Sequence, residues 1–569
     1  MAEVPGSLNP HQRQRALETM SQQTLDVLVI GGGVTGVGCA LDAASRGLKV
    51  GLVEQRDIAS GTSSRSSKLL HGGLRYLETR EFSLVREALR ERSLHTTALA
   101  PHLVRPVSFL LPLPGRWWNR LYYGAGVLLY DLMAATRSNP LPRHRHLSRP
   151  RTLELAPALR DDDVAGGILY YDAQIDDARH TLAVARTAVA YGAEIATSVR
   201  VVDLLRDGDA VVGAAVEDLE TGARLTISAR QVVNATGVWN DDIHGMVRTA
   251  GLQVQAAKGV HLVIPGDRID SKTGIIARTP TSVLFIIPWR NNWLLGTTDT
   301  AWDYDRDHPA ASATDINYLL DQANRVLAEP LDRNDIIGVY AGLRPLLAGT
   351  AEETSQLSRE HAVMRPAPGL VSIAGGKYTT YRIMAADAID AAVEGLGGSP
   401  RTSRSDQLPL IGSQDWQTTW KQAGPGLARQ WDLPVEVIEA MLHRHGSQIG
   451  AVLELLNDDD QLRTVLPGQH LAAEVVFAVR HEGALHVDDV LARRTHLSIE
   501  TPDRGVASAR IVADLMATEL VWDADRIEQE LGVWNDRVTA ERDANTMVGD
   551  REASQRRTSA ADIRDAASR

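Results

Sequence analysis

Residues 25–54 read LDVLVIGGGVTGVGCALDAASRGLKVGLVE, and this stretch decides the fold. Leu25 to Ile30 is an unbroken apolar run ending in glycines, the pattern of a strand buried on both faces. Residues 33–46 are small and read as a helix, with Gly47 placed to stop it. Residues 49–53 form a second strand, and Glu54 ends it. Gly31, Gly33 and Gly36 satisfy GxGxxG: the first permits a tight turn, the second lets backbone approach a pyrophosphate, the third lets helix pack on strand. The helix opening at Val34 and Thr35 offers unpaired N–H groups and partial positive charge to phosphates. A carboxylate where Glu54 stands is suited to ribose hydroxyls. A lone glycine motif is weak evidence. Strand, glycines, helix, strand and acid in order predict a βαβ unit that binds an adenine dinucleotide.

Around this unit the chain is too long, at 569 residues, for one core, and two or three domains are expected. A formal net charge of −12 argues against a nucleic-acid binder, whose footprint would be basic. Cys39 is the single cysteine, which rules out an intramolecular disulfide. Residues 1–23 lack the apolar core of a secretory signal and read as a flexible leader. The longest uncharged apolar run, 121–130, is too short for a bilayer span, which needs roughly 20 apolar residues. Residues 24–110, 170–251 and 341–400 are expected to share the dinucleotide domain, with a Val-rich hairpin meander before the buried run 231–235. Segments 111–169 and 252–340 are assigned to an antiparallel substrate domain, 401–538 to a helical unit and 539–569 to a disordered tail. The His-x-His pairs at 144/146 and 443/445 lack further ligands at convincing spacing, so no metal is expected.

The choice of dinucleotide rests on later motifs. Residues 63–76, SSRSSKLLHGGLRY, resemble the flavin-side motif of FAD-dependent glycerol-3-phosphate dehydrogenases. NATGVW (234–239), GTTD (296–299), GLRPL (342–346) and GGKYTTYR (375–382) resemble that family in kind and order. The resemblance runs from about residue 24 to 530 and is to the bacterial aerobic type. It implies an α/β multidomain fold: a Rossmann-like FAD-binding domain of glycine-oxidase type, an antiparallel substrate domain and a helical C-terminal domain. It implies noncovalent FAD, oxidation of sn-glycerol 3-phosphate to dihydroxyacetone phosphate, and electrons passed to membrane quinone from a peripheral position on the cytoplasmic face. It admits a homodimer. Cofactor contacts are carried over to Gly31, Gly33, Val34, Thr35, Gly36, Glu54, Thr62, Ser63, Ser64, Ser67, Lys68, Leu70, His71, Gly73, Val201, Ala235, Gly237, Trp239, Gly342, Gly376, Lys377 and Thr379.

Chemistry asks the site for two things. A phosphate near dianionic form needs several fixed cations, and Arg75, Arg344, Arg359 and Lys377 stand in or beside the motifs, with Tyr76 as a further donor. A base must take the hydroxyl proton as hydride leaves. His261, in a β-like segment, suits that role, while a purely structural interface histidine weighs equally. Residues 117–130 and the basic run 143–151 suit a membrane surface, although aromatic stripes are more often core. A glycerol-3-phosphate oxidase using oxygen is a close rival. An amino-acid oxidase on the same fold accounts for one anion-binding arginine but not for four cations.

Overall fold

The computed structural model describes residues 4–73, 77, 81–115, 117–134, 141–162, 164–247, 252–279, 283–347, 360–397 and 401–566. Arg75, Tyr76 and Arg359, three of the expected substrate contacts, lie outside the described residues.

Two sheets organise the molecule. In the first, Glu194–Ala196, Val50–Val53, Leu25–Ile30, Arg224–Asn234 and Leu370–Gly375 run parallel in that spatial order, and His361–Ala367 adds an antiparallel edge. Leu25–Ile30 is central and almost wholly buried, as a run without polar alternation requires. The helices Val34–Ser45, Asp177–Ala190 and Tyr381–Gly395 pack with it through one apolar cluster. The expected meander is present: Val199–Asp207 and Ala210–Asp218 pair antiparallel and lead into Arg224–Asn234.

The second sheet is mostly antiparallel. The strand Val254–Pro265 pairs with both Asn292–Gly296 and Gly338–Leu347. Val104–Leu113 pairs with Gly166–Ile175 and joins Gly274–Arg278 in parallel. Several of these strands lie in segments expected to belong to the dinucleotide domain. Residues 104–110, 170–175 and 341–347 instead belong to the second sheet, because long-range pairing, which local pattern does not report, assigns a strand to its sheet.

Two further expectations are corrected. The leader is not a flexible arm: Pro10–Gln22 is a helix, capped by the Asn9 side chain accepting from Gln12 N, with Ala16, Leu17 and Met20 buried at the first sheet. Most of its polar residues lie on the outer face, so the segment is polar in composition while its inner stripe, Ala16, Leu17 and Met20 with Gln12, is buried. The tail beyond residue 538 is not disordered either. The helix Ala524–Ala544 is followed by Asp550–Arg557 and Ile563–Ala566. Some of its charges face inward to partners: Asp550 pairs with buried Lys258 at 2.5 Å and Arg564 with buried Asp489 at 3.0 Å. Charge density reads as solvation only where the charges lack buried partners.

Candidate active site

A cavity of about 530 Å³ opens between the two sheets. Its floor is the glycine loop. Gly31 has φ +111°, a left-handed conformation that L side chains rarely adopt, and its turn is closed by Gly31 N–H donating to Val53 O at 2.9 Å. A Cβ on Gly36 would collide with the Gly31 carbonyl, so this glycine is fixed by helix–strand packing and does not line the cavity. Gly33 and Val34 do line it, and the Val34 N–H donates to Ser63 Oγ at 2.9 Å. Glu54 accepts from Gly32 N at 2.6 Å and Arg56 N at 2.8 Å, which holds the carboxylate toward the cavity. Burial pushes its pKa up, and the backbone donors work against that shift.

The cavity is also lined by Thr35, Thr62, Ser63, Ser67, His71, Val201, Ala235, Gly237, Trp239, Gly342, Gly376, Lys377 and Thr379. Thr379 joins two motifs directly: its hydroxyl accepts from His71 N at 3.3 Å. Four other expected contacts do not line it: Ser64, Lys68, Leu70 and Gly73. Lys68 is fully buried in an ion pair with Asp177 at 2.6 Å, and it also donates to Ser64 O at 3.2 Å. Leu70 packs into the dinucleotide-domain core. In the short strand Leu69–Leu70 neighbours point to opposite faces, so Leu69 faces the cavity in place of Leu70.

At one end of the cavity the second sheet contributes charge. Arg344, on Gly338–Leu347, lies across the ladder from Ala257 and donates to Thr297 Oγ1 at 3.0 Å and Thr298 O at 3.1 Å. Asp299 completes its seat with an ion pair at 3.3 Å. The Lys377 ammonium is buried at the same cavity. His261, four residues before the end of its strand, faces Tyr340 across the ladder with rings stacked 4.8 Å apart at 9°. Its Nε2 is 2.8 Å from Ser67 Oγ. Burial, reinforced by the Arg344 and Lys68 cations, pushes the imidazole down to about 3, so it is neutral at physiological pH.

Sequence reasoning missed Tyr340, the Ser67–His261 contact and the Thr297–Asp299 seat of Arg344. GTTD offered a signal for the last, since an acid near an anion-binding arginine is a natural positioner. Nothing local pairs Ser67 with a histidine 194 positions away.

The family model for FAD dependent oxidoreductases matches residues 26–382, and that for the C-terminal domain of alpha-glycerophosphate oxidase matches 403–527. The chain is 52% identical over 562 residues to a glycerol-3-phosphate dehydrogenase of Mycobacterium leprae, covering 98% of this chain and 95% of the relative. It belongs to the FAD-dependent glycerol-3-phosphate dehydrogenase family. Within that family, the mitochondrial glycerol-3-phosphate dehydrogenase of Homo sapiens is 37% identical, covering 93% of this chain and 75% of the relative. The glycerol-3-phosphate dehydrogenase of Bacillus halodurans, solved with FAD, superposes with a TM-score of 0.78 at 29% identity, covering 93% of this chain and 97% of that one. FAD is the cofactor, and the residues present fit it: glycines that admit no side chain, a helix N-terminus and a backbone-held carboxylate line one continuous cavity. The expected fold class stands, with a helical C-terminal unit beyond the two sheets. No helix among the described residues is long and apolar enough to cross a membrane.

Proposed function

We propose that this protein oxidises sn-glycerol 3-phosphate to dihydroxyacetone phosphate and delivers the electrons to membrane quinone. One observation carries the reading: Arg344, Lys377 and His261 line the same cavity as the glycine loop, so two cations and a neutral imidazole are available to one bound substrate. FAD, held by the glycine loop and Glu54, would supply the two-electron acceptor for the hydride that leaves C2 of the substrate. Arg344 binds the substrate phosphate through its planar fork, held in place beforehand by Asp299 and Thr297. Lys377 adds a second charge, and Arg75, Tyr76 and Arg359 complete the phosphate site.

His261 takes the 2-hydroxyl proton. Its low pKa keeps the ring unprotonated and able to accept, although it is a weak base in that state. A phosphate dianion on Arg344 offsets the cation that depresses the imidazole, so substrate binding itself raises the basicity of His261. Ser67 fixes the ring through Nε2, and stacking on Tyr340 fixes its plane.

Quinone as acceptor and a peripheral membrane position are parts of the same reading. The helix Trp117–Ala134 exposes Leu121, Tyr122, Leu128, Leu129 and Leu132. Exposed Arg143, Arg145, Arg149 and Arg151 follow it, a combination suited to an anionic lipid surface. Oxygen is the competing acceptor, favoured by the match of residues 403–527 to the oxidase C-terminal domain. Turnover with glycerol 3-phosphate and a soluble quinone analogue decides between them. The reading expects dihydroxyacetone phosphate with quinone reduction far faster than hydrogen peroxide release; peroxide as the main reduced product would make the protein an oxidase.

A further inference from the structure

Behind the loop that carries Arg56 to Ser67, two small voids of about 30 and 60 Å³ lie against the C-terminal helices. Four residues line both: Arg65, His308, Arg537 and Arg557. All four are basic. The carboxylates here are already shared. Glu541 serves Arg537 at 3.0 Å and Arg557 at 3.3 Å, and Asp488 serves both Arg537 and Arg493. Asp562 lies 3.5 Å from Arg56 and 3.8 Å from His308. His308 accepts at Nδ1 from Arg557 at 3.3 Å, so its ring answers one cation with a lone pair and adds no negative charge. Arg65, half-buried, lines both voids and has no ion pair or side-chain hydrogen bond among the described residues. Burial first, and then Arg537, Arg56 and Arg557, pull it down to about 9, and Arg557 is likewise pulled down to about 10.

We propose that this basic wall binds one inorganic phosphate dianion, at a site separate from the substrate phosphate. Arg56, Arg65, Arg493, Arg537 and Arg557 line the voids against Asp488, Glu530, Glu541 and Asp562. Arg65 is the lining guanidinium left without a carboxylate among the described residues, where a tetrahedral oxyanion supplies the missing acceptor. Volume agrees: a single water needs roughly 10–15 Å³ of such space, so the larger void, at about 60 Å³, has room for several waters or one phosphate. The site joins elements far apart in sequence. Arg65 also lines the main cavity and belongs to the loop bearing Thr62, Ser63 and Ser67, while Arg537 and Arg557 belong to the C-terminal helices. A phosphate here ties the C-terminal segment to the loop beside FAD, so its first effect is on stability.

The test titrates inorganic phosphate into FAD-loaded full-length protein, following the thermal midpoint and phosphorus NMR. Wild type, Arg344→Ala, Arg557→Gln and Arg65→Gln are compared. Phosphate is expected to raise the midpoint of wild type and of Arg344→Ala alike. Binding by Arg557→Gln should be at least tenfold weaker. Should Arg557→Gln fail to fold, Arg65→Gln, which breaks no ion pair, carries the same expectation. Binding that disappears in Arg344→Ala but persists in both glutamine variants would assign the phosphate to the substrate pocket and overturn the proposal. Absence of any phosphate effect on wild type would overturn it too.

Discussion

The two walls of the central cavity are built from different materials. The wall from the first sheet is mainly backbone: a left-handed glycine, a helix N-terminus and a glutamate held by two main-chain N–H groups. The wall from the second sheet is side chain upon side chain, with Arg344 seated on Thr297 and Asp299, and His261 clamped between Ser67 and Tyr340. Backbone geometry tolerates almost no substitution but asks for few specific side chains. A side-chain wall tolerates substitution structurally and loses chemistry instead. Damage to the first wall should therefore cost FAD and fold together, and damage to the second should cost turnover while FAD stays bound.

Gly36→Val should produce the largest effect. Its side chain collides with the Gly31 carbonyl, and the expected product is insoluble or colourless protein, read by the flavin absorbance of the purified chain. Arg344→Ala should be folded and yellow, with kcat/KM for glycerol 3-phosphate lower by about three orders of magnitude, or roughly 4 kcal/mol of transition-state stabilisation. His261→Asn should lower kcat on the order of 100-fold with FAD content unchanged, the scale of a lost general base. A purely structural histidine would leave kcat within a few-fold, and that result would remove the base from the account.

The smallest effect is on pH-dependent stability. His102 and His261 are pushed down to about 3, and His443 and His470 to about 4, chiefly by burial. Between these values and about 6.5 the unfolded chain binds protons that the native chain does not, so stability falls as pH drops through that window. His486 behaves oppositely. Glu530 and Glu220 hold it up to about 9 against burial, so its contribution is complete below about 6.5 and is lost as pH rises through 9. Denaturant midpoints should therefore fall away on both sides of neutrality, steeply toward pH 4 and more gently toward pH 9.

The contrast between walls also explains what the sequence revealed. The backbone wall is local: strand, turn, helix and acid fall within 30 consecutive residues, so periodicity and glycine spacing were enough. The side-chain wall is assembled across the chain: Arg344 and Ser67 were visible through their motifs and His261 through its β-like segment, while their partners Tyr340 and Thr297 were not. Lys68 misled because its motif lies beside the cavity while its ammonium turns away to Asp177. The leader and tail misled because composition reports how polar a segment is and not which way its charges face. Asp550 and Arg564 are as polar as any disordered residue, yet both meet partners in the interior.

Under the proposed function the cavity presents a phosphate-bearing alcohol to the flavin. Anaerobic addition of substrate to the yellow holoprotein tests it most directly. Glycerol 3-phosphate should bleach the flavin stoichiometrically, while glycerol and glycine leave it oxidised. A flavin that stays yellow with glycerol 3-phosphate, or that glycine bleaches equally well, would contradict the account.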